Sequence, residues 1–105
     1  MDISDEEWLS LKRTSIYLAF MLNRKIEVYL YGSRAKSTSR SDSDFDIAIK
    51  ILDKCDHSKL WMYCGDTLDY FFKYTSKLNT HVELIDDKNG IVAKSVEEMS
   101  RKIYP

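Results

Sequence analysis

The sequence predicts an α/β domain, a small mixed β-sheet flanked by helices, and three observations carry that expectation. Three short runs, 26–31, 44–51 and 81–86, are rich in β-branched and aromatic residues. Between them lie longer stretches whose apolar residues recur every three or four positions. With 105 residues the chain is long enough for one modest core and too short for two.

Each element can be justified in order. Ser4 with Glu7 reads as a capping box opening a helix, which Trp8, Leu11, Leu18 and Leu22 continue to about Asn23, with Ser15 interrupting the stripe. Ile26 to Tyr31 form the first strand, closed by Gly32-Ser33, and 33–39 is expected to be a short helical turn followed by a polar loop. In 44–51, Asp44, Asp46, Ala48 and Lys50 share one strand face, and Phe45, Ile47, Ile49 and Ile51 share the other. A long helix over 57–77 follows, with Leu60, Cys64, Leu68 and Phe71 on its apolar stripe. Gly65 inside it costs about 1 kcal/mol relative to Ala. The third strand is 81–86, and Asn89-Gly90 precedes a last helix with Val92, Val96, Met99 and Ile103 on one side. The expected order is α-β-α-β-α-β-α.

Composition excludes several classes. Hydrophobic residues at 44% and charged residues at 31% are ordinary for a soluble globular protein. No stretch approaches the ~20 apolar residues of a membrane span, and the acidic start Asp2, Asp5, Glu6, Glu7 lacks the features of a signal peptide. A cytoplasmic location is expected. Cys55 and Cys64 lie nine positions apart and read as two buried thiols. A net charge of −1 and a pI near 6.1 argue against direct nucleic-acid binding. Arg34, Lys36 and Arg40 form the one local basic cluster.

The chemistry lies between Gly32 and Asp46. Asp44 and Asp46 stand two residues apart on one strand face, with Cα atoms ~6.6 Å apart at ~3.3 Å per residue. Both reach the same cation, and magnesium prefers one or two carboxylates completed by phosphate and water. Glu83 points away from Val82 and Leu84, and a paired strand brings it within ~4.8 Å laterally. Three acids gathered without a cation would repel one another. Gly32 admits close backbone approach, and Ser33 offers a hydroxyl and an N–H at a helix start, a suitable place for an anion. Two metals ~3.5–4 Å apart, beside a triphosphate on this turn, stabilise both oxygens of an in-line displacement. Arg34 follows directly and joins Gly32 and Ser33 as a candidate nucleotide-binding residue.

Each fragment alone is bland. A Gly-Ser pair is ordinarily a turn, and Asp-x-Asp is commonly a solvated strand edge. Their ordered combination, each beside an apolar strand, favours a nucleotide–metal site. His57 and His81 read as surface or helix-end residues, and the seven Tyr and two Trp as core and interface residues.

Gly32-Ser33, ten intervening residues and then Asp44-Phe45-Asp46 resemble the signature of the minimal nucleotidyltransferases (MNT proteins) of the DNA polymerase β-like superfamily. The resemblance covers nearly the whole chain and implies the polymerase β palm-like fold. Ser37 stands where relatives often carry a second Gly, and Glu83 where the third acid is commonly Asp. The resemblance implies that Asp44 and Asp46 bind magnesium and that Glu83 helps bind metal and activates the acceptor hydroxyl. Gly32 and Ser33 would hold the triphosphate of ATP. Such proteins resemble the antitoxin half of HEPN/MNT toxin–antitoxin pairs, in which the MNT protein adenylylates a tyrosine of its HEPN ribonuclease partner.

Size sharpens the expectation. A sheet and its covering helices use up the 105 residues, which leaves no module to grip an acceptor, so a partner protein is expected to present it. The partner surface is expected on the outer faces of the first and last helices, at Tyr17, Phe20, Met21, Met99, Ile103 and Tyr104. Two alternatives are an antitoxin that acts by binding alone and a small-molecule nucleotidyltransferase completed as a homodimer.

Overall fold

A computed structural model describes residues 2–53, 57–76, 78–85 and 90–105. Cys55, Asn89 and the last residues of the expected elements 57–77 and 81–86 lie outside the described residues. The elements are α1 (Asp5–Leu22), β1 (Ile26–Tyr31), α2 (Gly32–Lys36), β2 (Phe45–Ile51), α3 (His57–Phe72), β3 (Thr80–Ile85), α4 (Gly90–Glu98) and β4 (Arg101–Tyr104). The sheet runs β3-β2-β1-β4, with β1 antiparallel to both β2 and β4 and β2 parallel to β3. This is a mixed α+β architecture with one more strand than the sequence suggests. Among the described residues, no helix is long and apolar enough to cross a membrane.

Local signals set the ends of α1. The Ser4 hydroxyl accepts from the Glu7 N–H at 3.1 Å, and the Ser4 N–H donates to the Glu7 carboxylate at 3.0 Å. Asn23 ends the helix in the left-handed conformation. Leu11 and Leu18 enter the core from α1, and Ser15 between them is fully buried. Its hydroxyl is satisfied by donating to the Leu11 carbonyl at 2.7 Å, so the apparent interruption of the stripe lies inside the interface.

The core lies between the sheet and the α1/α3 pair. Phe45, Ile47 and Ile49 of β2, Val28 and Leu30 of β1, and Cys64, Leu68 and Phe72 of α3 are all essentially fully buried. The stripe of α3 therefore runs Cys64, Leu68, Phe72 at i, i+4, i+8. Phe72 stacks edge-on against Phe45 at 4.9 Å. Phe71, expected in the core, is instead partly exposed against Tyr17. The helix also stops short of residue 77: the N–H groups of Tyr74 and Thr75 bond the carbonyls of Phe71 and Phe72, a tightening that ends the α-pattern.

The last helix is also shorter than expected. Val92, Val96, Met99 and Ile103 keep a helical spacing, but α4 ends at Glu98 and Ile103 belongs to β4, buried beside β1. Four residues alternating about one inward Ile carry too little period-two signal to be seen beside that spacing. Lys102 bonds Glu27 of β1 at 2.7 Å, and the Arg101 guanidinium lies 5.0 Å from the Trp8 ring, so β4 is tied to both β1 and α1. On the other edge, the Trp61 indole N–H donates to the outward carbonyl of Val82 at 2.7 Å.

Gly65 is tolerated in α3 without being required there. A Cβ at this position would stand 4.0 Å from the Val82 Cβ, an ordinary contact. Gly65→Ala should therefore recover the helix-propensity cost of about 1 kcal/mol and raise the melting temperature by about 4–8 °C, measured by thermal denaturation.

Candidate functional site

The antiparallel pairing of β1 with β2 sets Tyr31 opposite Asp46, so the Gly-Ser turn and the Asp-x-Asp strand meet at one end of the sheet. Gly32 follows Tyr31 with φ +72°, in the left-handed region, and opens α2. A Cβ there would collide with the Asp46 carboxylate, standing only 3.1 Å from its Cγ. The glycine is thus required twice, by its backbone conformation and by the acid pressed against it. Ser33 lies in the first turn of the five-residue α2, and its carbonyl accepts the N–H groups of Ser37 and Thr38. Ser37, where a second glycine was the family expectation, itself adopts φ +59° and caps the helix.

Strand alternation separates the two faces of β2. Phe45, Ile47 and Ile49 point into the core, while Asp46 points to the opposite face and is half-buried. Asp44, just before the strand, is exposed. Burial pushes the Asp46 carboxyl above its ordinary value, His81 pulls it back, and the charge of Asp44 pushes it up again. That mutual repulsion is what a hard cation relieves.

The parallel pairing of β3 places His81 beside Asp46 and Glu83 beside Ala48. Glu83 is on the expected face, two register positions beyond the residue level with Asp46. Its carboxylate lies 3.1 Å from His81 Nε2. His81, read from the sequence as a surface or helix-end residue, therefore stands level with Asp46 and in contact with Glu83. Tyr31 was missed as well. It is buried, and its hydroxyl is pushed up to about 12 by burial and by the charges of Asp46 and Glu83. Only strand register could have revealed either residue, because neither shows a motif spacing. Further along the same face, α4 covers a cleft of about 330 Å³ lined by Tyr29, Lys50, Ile85, Ala93, Val96 and Glu97.

Arg34 lies elsewhere than expected. Its guanidinium is buried against the Phe45 ring, 4.3 Å from the centroid, and donates to the carbonyls of Asp2, Arg40 and Ser43. The side chain holds the loop rather than facing the carboxylates. Among the described residues, no three His, Cys, Asp or Glu side chains converge as metal ligands. The oxygen donors Asp44 and Asp46, repelling each other at the sheet end, suit magnesium in the manner that leaves its remaining positions to substrate phosphate and water.

Two outcomes follow from this geometry. Gly32→Ala should displace Asp46 and strain the turn by about 1–2 kcal/mol, lowering the melting temperature while circular dichroism still reports a folded chain. Asp46 carries a proton more tightly in the folded than in the unfolded state. Stability therefore falls as pH rises above the ordinary carboxylate value of 3.8, until the pH passes the raised value of the folded state. In chelator at pH 7, Asp46→Asn should raise the melting temperature measured by thermal denaturation, and the gain should vanish in acid.

A family model described as polymerase beta, nucleotidyltransferase, matches residues 16–104. No curated protein matches the chain. Among solved structures, a toxin–antitoxin complex with AMP-PNP is similar, with 21% identity over 89% of this chain and 72% of that one, and a TM-score of 0.63. A mutant MntA–HpeT toxin–antitoxin structure has 19% identity over 89% and 72%, with a TM-score of 0.62. A tri-AMPylated Shewanella oneidensis HEPN toxin in complex with MNT antitoxin has 19% identity over 93% and 71%, with a TM-score of 0.60. Identities this low speak for the fold alone, and the fold they share is the one built above. With the family model matching nearly the whole length, the chain belongs to the polymerase β nucleotidyltransferase family.

Proposed function

We propose that the chain is a cytoplasmic, magnesium-dependent antitoxin that transfers AMP from ATP to a tyrosine hydroxyl of a HEPN-type partner. The observation that carries this reading is the contact of the side-chain-free Gly32 backbone with the Asp46 carboxylate, beside Asp44, His81 and Glu83. Asp44 and Asp46 would hold the metal, which supplies charge neutralisation for the triphosphate. Gly32 and Ser33 line the turn that takes the phosphates. The acceptor oxygen forms a bond to the α-phosphorus, and the bond to pyrophosphate breaks, its electron pair leaving with the pyrophosphate. Glu83, held by His81, takes the acceptor's proton.

A protein acceptor is supported by α1, whose C-terminal half is apolar on its outer side as well. Beyond its buried residues it exposes Leu9, Ile16, Tyr17, Phe20 and Met21, with Phe20 80% exposed. A specific interface takes ~800 Å² per partner. Ile103, expected on this surface, is buried in β4 and drops out, Tyr104 is half-buried, and Met99 remains exposed. The AMPylated toxin of the Shewanella complex is that protein's chemistry and enters here as analogy.

One observation favours the binding-only antitoxin: Glu83 is turned to His81, and three acids do not converge among the described residues. Mass spectrometry of a co-expressed HEPN partner separates the two readings. Added AMP on a tyrosine, lost by more than about 100-fold in Asp44→Asn or Asp46→Asn, supports transfer. Even groups that merely support metal ligands cost 10–100-fold when mutated. A stable complex without AMP under any metal or nucleotide would sink the transferase reading.

A further inference from the structure

The residues between α2 and β2 form no regular structure, yet they end on Asp44 and must present it beside Asp46. Two side chains far apart in sequence hold them. Arg34, nine-tenths buried, sends Nη2 to the carbonyls of Ser43 at 2.8 Å, Arg40 at 3.3 Å and Ser41 at 3.5 Å. Its Nη1 donates to the carbonyl of Asp2 at 3.2 Å. Asp2 completes the bracket. Its N–H donates to the Arg34 carbonyl at 2.8 Å, and its carboxylate accepts the Ser39 hydroxyl at 2.6 Å and the Ser39 N–H at 3.2 Å. Asp2 thus joins α2 at Arg34 to the loop at Ser39, thirty-seven positions away in sequence.

Such an arrangement has an energetic meaning. A loop of small polar residues has many conformations, and ordering it only when nucleotide arrives subtracts from binding. A loop already fastened avoids that cost. We propose that Asp2 is a positioning residue of the nucleotide site, fastening the 37–44 loop so that Asp44 stands ready beside Asp46. The role rests on the nucleotidyl transfer proposed above. Asp2 acts through its contacts with Arg34 and Ser39. Because ordering is charged at binding, its loss appears in KM for ATP and leaves kcat nearly unchanged.

The test compares Asp2→Ala, Asp2→Asn and Ser39→Ala with the full-length wild type. It uses hydrogen exchange of the loop amides, affinity for a fluorescent ATP analogue, and AMP transfer. Asp2→Ala should speed exchange across 39–43 and raise KM and the analogue's Kd about five- to tenfold, with kcat within about twofold, the scale of one ordinary intramolecular hydrogen bond. Asp2→Asn, which keeps one acceptor oxygen, should recover part of the loss. Ser39→Ala should reproduce part of it without adding to Asp2→Ala in the double variant. Ser39→Ala also tests the same bond from the other side should Asp2→Ala not fold. A lower melting temperature with unchanged KM and exchange would make Asp2 a structural contact only and overturn the proposal. A wild type that binds no ATP analogue would overturn the function itself, and Asp2's part in it. Normal wild-type transfer with unaltered variants overturns the Asp2 role alone.

Discussion

The missing side chain at Gly32 is the constraint on which the site depends. The sheet brings Tyr31 and Asp46 into register, and the chain must turn away from β1 at once to begin α2. Any Cβ at that turn would occupy the volume of the Asp46 carboxylate. Backbone and acid can share this space only because one of them has no side chain. The acid gains burial from the contact, and with burial a reluctance to ionise that a neighbouring cation would reverse.

Around that contact the molecule divides into two sides. One sheet face is closed by α1 and α3, with Leu11, Leu18 and Phe72 buried together with Phe45 of β2. The other face carries Asp46, His81, Glu83 and the buried Tyr31, with α4 covering its far end. The apolar face of β2 holds the strand in place, and that rigidity is passed to the alternate residues. A strand buried on one face aims its other face accurately at small entropic cost, which suits a site that positions charge.

Much of this was legible in the residues. Ser4 with Glu7 marks the start of α1, and the alternation of 44–51 separates the core face from the face that carries Asp46. Gly32-Ser33 and Asp44-Phe45-Asp46 announced the family because each sits directly beside an apolar strand. What stayed hidden depends on pairing. No local pattern says that β3 lies parallel to β2 with His81 level with Asp46, so both the closeness of His81 and the offset of Glu83 emerged only with the register. Arg34 misled for a different reason: a cation after a phosphate-type turn suggests a ligand contact, whereas backbone carbonyls of an irregular loop need donors just as much. β4 escaped notice because Ile103 continued the helical spacing of α4 by coincidence.

The Trp61 indole has a consequence for how other molecules can approach. By occupying the outward carbonyl of Val82, it removes one acceptor from the edge strand that also carries Glu83. The opposite edge, β4, is four residues long and bears Arg101 and Lys102, both exposed. A visitor extending the sheet with a strand of its own would meet an indole on one side and a short cationic ribbon on the other. Recognition is thereby steered away from backbone pairing, which is indifferent to sequence, and towards side-chain surfaces, where the shape and chemistry of the visitor decide whether it is admitted.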